Sequence, residues 1–243
     1  MAHGLPDFGV YTPKVTVSAL ADMAELAARL GSIVTFDRRG DLVWFDDFRS
    51  GIMKWYYSGT GDRGSAVATA ARARNGAFSC LITTGDQESD YAQIAHRSPY
   101  QVAGRLGIEA SFTLDDNMAE YLLELVVYNG ATYYSCKCIF DPTTNELKVG
   151  DSADFHVVGS NVAPFISDYL FNTMKIVANF GSTKKYLKLI FNELEYDISA
   201  YDLFTDTDDT GAHLAVNFKV QTNVADAKTI YVTDVIVTQN EPE

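Results

Sequence analysis

From Ile33 to the C-terminus the chain alternates apolar and polar positions with a period of two, interrupted at short intervals by Gly, Asn, Asp and Ser. That is the pattern of half-buried antiparallel strands joined by turns. SAVATAAR, AFSCLITT, YAQIAH, LGIEASFTL, EYLLELVVYN, ATYYSCKCIFD, ELKV, DFHVVG, TMKIVANFG, KKYLKLIFN, ELEYDIS, HLAVNFKVQT and TIYVTDVIVT each read as a strand. YLLELVVYN and TYYSCKCIF meet across Asn129-Gly130, residue types that tolerate the positive φ of a two-residue hairpin turn. A hairpin is also expected in IVTFDRRGDLVWFDD, around Arg38-Arg39-Gly40. Thirteen short strands without intervening helices predict an all-β, two-sheet antiparallel sandwich.

The first 32 residues have a different pattern. LPDFGVYTPKVTV carries Pro6, Gly9 and Pro13 among apolar residues, which suits an extended arm. SALADMAELAARLG predicts one short helix, with Ser18 as N-cap, an apolar stripe of Leu20, Met23, Ala24, Ala27 and Leu30, and Gly31 as stop. A helix this short and Ala-rich is marginal alone, so its stripe must pack on something. The expected organisation is therefore an arm and helix over residues 1–32 and a sandwich over 33–243. Phe8, Val10 and Tyr11 of the arm, with Leu20, Met23 and Leu30 of the helix, are expected to contact a partner.

Charge narrows the partners. With 32 acidic against 19 basic residues in 243, the formal charge is −13, which disfavours nucleic acid and anionic membrane surfaces. No run of apolar residues reaches membrane-spanning length, and MAHGLPDFGVYTPK lacks the basic start and apolar core of a signal peptide. Synthesis and folding in a cytoplasm are expected. Cys80, Cys136 and Cys138 are odd in number, and Cys136-x-Cys138 places two thiols about 7 Å apart on one strand face, beyond disulfide reach. They are expected to be small apolar core residues.

Three segments resemble parts of the concanavalin A-like and carbohydrate-binding-module jelly rolls. FDDFRSGIMKW followed by RARNGAFSCLIT is similar to their entry pattern, MKIVANFGSTKKYLKLIFNELEYDIS to their ladder of adjacent strands, and TIYVTDVIVTQ to their last strand. The resemblance implies a jelly-roll topology. In many such modules a structural calcium is held by an acid after the entry Phe and by the first acid of a terminal Asp pair; here those positions are Arg49 and Thr233, so no metal is expected.

Other candidate chemistry is sparse. Glu193, Glu195 and Asp197 share one face of a strand at a spacing compatible with a glycosidase pair, but follow a tight turn at Asn192 and read as a solvated face. DTDDTG at Asp206 to Gly211 begins like a calcium loop, yet Asn217 stands where the closing Glu belongs. The four histidines lie singly, and no nucleotide-binding or nucleophile-elbow motif occurs, so no cofactor is expected. Trp55, Tyr56 and Tyr57 form an aromatic run of the kind that stacks on sugar rings.

Together these features lead to the expectation of a non-enzymatic structural or adhesive component of a larger assembly, such as a bacteriophage virion, in a homo-oligomer or beside other virion subunits. The alternative is a carbohydrate-binding module, followed by a lectin-fold glycoside hydrolase.

Overall fold

In the computed structural model, residues 40–74, 77–99 and 104–242 are described. They form sixteen strands: β1 (Asp41–Asp46), β2 (Tyr56–Gly59), β3 (Ser65–Thr69), β4 (Ser79–Thr83), β5 (Tyr91–Pro99), β6 (Arg105–Leu114), β7 (Met118–Tyr128), β8 (Thr132–Asp141), β9 (Glu146–Gly150), β10 (Phe155–Gly159), β11 (Ser167–Asn179), β12 (Lys185–Phe191), β13 (Leu194–Asp197), β14 (Phe204–Thr207), β15 (His213–Thr222) and β16 (Thr229–Gln239). Sheet A runs β13-β12-β11-β6-β16-β4-β3, with β1 also on β16. Sheet B runs β10-β9-β8-β7-β15-β5-β2, with β14 also on β8. All pairings between these strands are antiparallel, giving the expected jelly-roll sandwich.

Every strand expected from the alternation is present. β2 and β14 were not legible, being four residues each and almost wholly exposed. β1 pairs with the C-terminal strand β16, and residues 33–39 of the expected hairpin lie outside the described residues. So do the arm and helix, including Phe8, Val10, Tyr11, Leu20, Met23 and Leu30.

The core lies between the sheets and is filled by alternate residues of both. Ile108, Phe112, Ile176 and Val237 come from sheet A, and Ile94, Leu123, Leu125 and Phe218 from sheet B, all 1% exposed or less. Rings bridge the sheets: Phe112 lies 5.3 Å from Phe218 and 5.5 Å from Tyr121, and Phe140 lies 5.2 Å from Phe191. Burying one such ring contributes about 1.5–3 kcal/mol. All three cysteines are buried in this layer with free thiols.

A tyrosine carries polar contacts across the core. Tyr186 of β12 accepts from the Lys137 backbone N–H at 2.9 Å and reaches the Gly150 carbonyl at 2.7 Å. Lys137 lies where β8 changes neighbours, from β14 along its first half to β9 along its second. The phenol thus satisfies backbone groups that the switch leaves without a ladder partner.

Candidate functional site

On the outer face of sheet B a row of small residues, the trough, crosses the strands between two rows of larger side chains. Antiparallel register brings Arg97 of β5, Ala215 of β15, Val126 of β7, Ser135 of β8 and Phe204 of β14 into one rung. Ala215, Val126 and Ser135 are the floor, 5%, 2% and 0% exposed although they point away from the core. They are small residues overtopped by larger neighbours on the rungs to either side. At about 4.8 Å per strand spacing, the floor from Arg97 to Phe204 runs roughly 19 Å.

One wall is a row of rings. His213, Tyr128 and Tyr133 occupy the next rung on β15, β7 and β8, with Asp206 of β14 beside them. His213 and Tyr128 stack at 4.2 Å with 8° between planes, Tyr128 and Tyr133 lie 5.4 Å apart, and Tyr133 lies 5.7 Å from Phe204. Burial, reinforced by nearby Asp208 and Glu124, raises the Tyr128 phenol above its ordinary pKa. Burial and Asp206 do the same for Tyr133. Both phenols stay protonated at neutral pH and present O–H groups. His213 Nδ1 donates to the Gly211 carbonyl at 2.7 Å, and its buried Nε2 has no hydrogen-bond partner among the described residues.

The opposite wall is polar. Asn217, Glu124 and Lys137 stand side by side on β15, β7 and β8. Asn217 donates to Glu124 Oε2 at 2.8 Å and Ser135 donates to Oε1 at 2.5 Å, so both carboxylate oxygens are engaged. Lys137 leans the other way, its Nζ 3.7 Å from the centre of the Phe204 ring and 5.6 Å from that of Phe155. Gly150 makes room for it, since a Cβ there would fall 2.8 Å from both Lys137 Cε and the Phe155 ring.

Chemically the trough offers phenol and amide donors, a fixed carboxylate, one ammonium and one guanidinium above an apolar floor. Sugar rings fit such a surface, having hydroxyl edges and apolar C–H faces. Among the described residues, no group of three or more His, Cys, Asp and Glu side chains could hold a metal ion.

The residues singled out in the sequence fall variously. Tyr56 lies on the outer face at the trough's edge, its ring 5.9 Å from the Arg97 guanidinium. Trp55 is 7% exposed in the core, its indole donating to Asp46 at 2.9 Å, and Tyr57 follows on the next β2 position, 38% exposed. Thr233 is buried at an irregularity of β16, and Arg49 pairs with Asp47 at the surface. Glu195 and Asp197 lie on edge strand β13, opposite Ile190 and Lys188, and line a hollow of about 550 Å³ on the far side of the molecule with Arg105, Lys185 and Ser199. Asp208 folds back on Thr210, accepting from its N–H at 2.7 Å.

No protein-family model and no curated protein matches the sequence. Solved structures do. An endo-β-1,4-glucuronan lyase from the fungus Trichoderma reesei superposes with a TM-score of 0.58 at 10% identity, over 82% of this chain and 96% of that one. The chain has a jelly-roll sandwich fold. The alginate lyase vAL-1 from Chlorella virus gives a TM-score of 0.53 at 6% identity (82% and 100% covered). The lectin UEA-II, solved with galactose, gives 0.50 at 11% identity (83% and 100% covered). At such identities the likeness is one of fold.

It nevertheless corrects one expectation. A non-enzymatic chain is expected from a sequence without a catalytic motif, yet two polysaccharide lyases have this fold over nearly their whole length. Lack of a contiguous motif is therefore no ground for setting catalysis aside. Nor do the matched structures speak for a virion role, which rested on residues 1–32, outside the described residues. No helix among the described residues is long and apolar enough to cross a membrane.

Proposed function

We propose that this protein binds a polysaccharide chain in the trough on the outer face of sheet B. The observation that carries this reading is the floor of Ala215, Val126 and Ser135, walled by the His213–Tyr128–Tyr133 rings on one side and by Asn217, Glu124 and Lys137 on the other. The trough is long enough for several sugar units. Its groups are held by hydrogen bonds and stacking before any ligand arrives, which lowers the ordering cost of binding. The matched lectin and lyases are, by name, proteins of carbohydrates and support the same reading.

Affinity electrophoresis through gels containing alginate, xylan, dextran or β-glucan tests it. Wild type should be retarded by at least one of them. Ala215→Trp, which fills the floor, and Tyr133→Ala, which opens the ring row, should each weaken that retardation about tenfold, roughly the loss of one good contact of 1.4 kcal/mol. Passage through every gel without retardation, or full binding by Ala215→Trp, would sink the reading. Ultraviolet absorbance of the same mixtures detects the unsaturated sugar ends that a lyase leaves.

A further inference from the structure

A lysine in this acidic chain normally has a carboxylate beside it. Lys148 pairs with Asp141 and Glu146, Lys219 with Glu120, Lys185 with Asp202 and Lys228 with Asp226. Lys175 does so even in a buried position, 2.9 Å from Glu241. Lys137 does not. It is half-buried, and among the described residues it forms no ion pair, although Glu124 is its direct cross-strand neighbour. Glu124 is held by Ser135 and Asn217. Lys137 instead packs its stem over Gly150 and sets its ammonium on the faces of Phe204 and Phe155. Ring faces attract a cation but do not neutralise it.

The trough therefore contains a positioned, partly dehydrated cation that forms no ion pair among the described residues. Burial lowers the Lys137 pKa, against which Glu124 acts, and an arriving anion would relieve that cost. At the other end of the floor Arg97 is exposed, forms no ion pair among the described residues, and faces Tyr56. Two such cations on one sheet face, on strands three spacings or about 14 Å apart, suit a polymer with repeated charge better than a single small anion.

We propose that the glycan is acidic, and that Lys137 holds the carboxylate or sulfate of one of its sugars. This rests on the trough being a glycan site. It adds that charge, rather than ring shape alone, selects the chain.

Two matched pairs of polymers test it by isothermal titration calorimetry: alginate against carboxyl-reduced alginate, and dextran sulfate against dextran. Wild type should bind the acidic member of at least one pair ten times or more tightly than its neutral partner, and added salt should narrow the gap. A preference in the first pair identifies a uronate, and in the second a sulfate. Lys137→Gln should lose the preference for the acidic member of the pair, and Lys137→Arg should retain most of it. Equal binding of acidic and neutral members by wild type overturns the acidic assignment and leaves the glycan site standing. So does an undiminished preference in Lys137→Gln. Binding of none of the four polymers, nor of those in the gel panel, removes the site itself. The polymer pairs are read on the unaltered protein, so the acidic assignment stands or falls whether or not the variants fold.

Discussion

At the scale of single residues, the three cysteines show how burial sets chemistry. Only a thiolate is a good nucleophile. Burial raises Cys80 to about 12, and does the same more strongly for Cys136 and Cys138 in the layer between the sheets. The native protein should leave all three untouched by a thiol reagent such as DTNB at pH 8, and release three equivalents only in denaturant. Rapid native labelling of even one would mean that the sandwich opens locally there. Their place in the core was readable from sequence, because Cys136-x-Cys138 keeps the period of two of its apolar neighbours.

At the scale of elements, the instructive bond is the one from Tyr186 on sheet A to the backbone of Lys137 and Gly150 on sheet B. Tyr186→Phe keeps the ring and its packing but leaves those backbone groups unsatisfied, which costs about 1–3 kcal/mol. Urea unfolding should show a lower midpoint with an unchanged slope. An unchanged midpoint would mean that water reaches the gap between β14 and β9.

Strand existence was largely legible, and so was the turn after Tyr128, although it lies one position on from the expected pair: the Asn129 N–H donates to the Thr132 carbonyl, so the central residues are Gly130, with φ +94°, and Ala131. The trough was not. Alternation tells which residues of a strand share a face, but not which strands become neighbours: Glu124 meets Asn217 across 93 positions of chain. The contiguous aromatic run at Trp55 stands out in the sequence, whereas the working rings are contributed one apiece by separate strands. A weaker signal was present, since Tyr128 and Tyr133 flank the one well-marked hairpin turn. The strands missed, β2 and β14, carry Tyr56 and Phe204 at the two ends of the trough. Edge strands of four exposed residues bury too little to leave a hydrophobic rhythm.

At the scale of the whole molecule, stability should be flat across neutral pH and fall on both sides. Asp151 is held at about 2 by the N–H groups of Asp154 and Ala153 and by His156. Asp197 and Asp208 are lowered by Ser199 and Thr210; for Asp141, burial pulls upward but Lys148 and the N–H groups of Thr143 and Thr144 outweigh it. A carboxylate with a lowered native pKa stabilises the fold above its unfolded value of 3.8 and loses that contribution as pH falls toward 2. The buried thiols act at the other end: native pKa values above the ordinary 9.0 give stability that is complete below pH 9 and declines as unfolded thiols ionise. The urea midpoint plotted against pH should show a plateau from about 4 to 9 with an acid and an alkaline limb. A maximum confined to the acid side would contradict these assignments.

The floor of the trough has a consequence for the history of such a protein. Ala215, Val126 and Ser135 alternate along their strands with Leu214, Leu125 and Cys136, which fill the core. The face proposed for the glycan and the face that keeps the protein folded are therefore written in interleaved letters of the same words, one set facing out and the other in. Selection can rewrite the outward letters, a methyl for a hydroxyl or a larger group, while the inward ones stay fixed. A lineage carrying this sheet could change its outer face without rebuilding its skeleton.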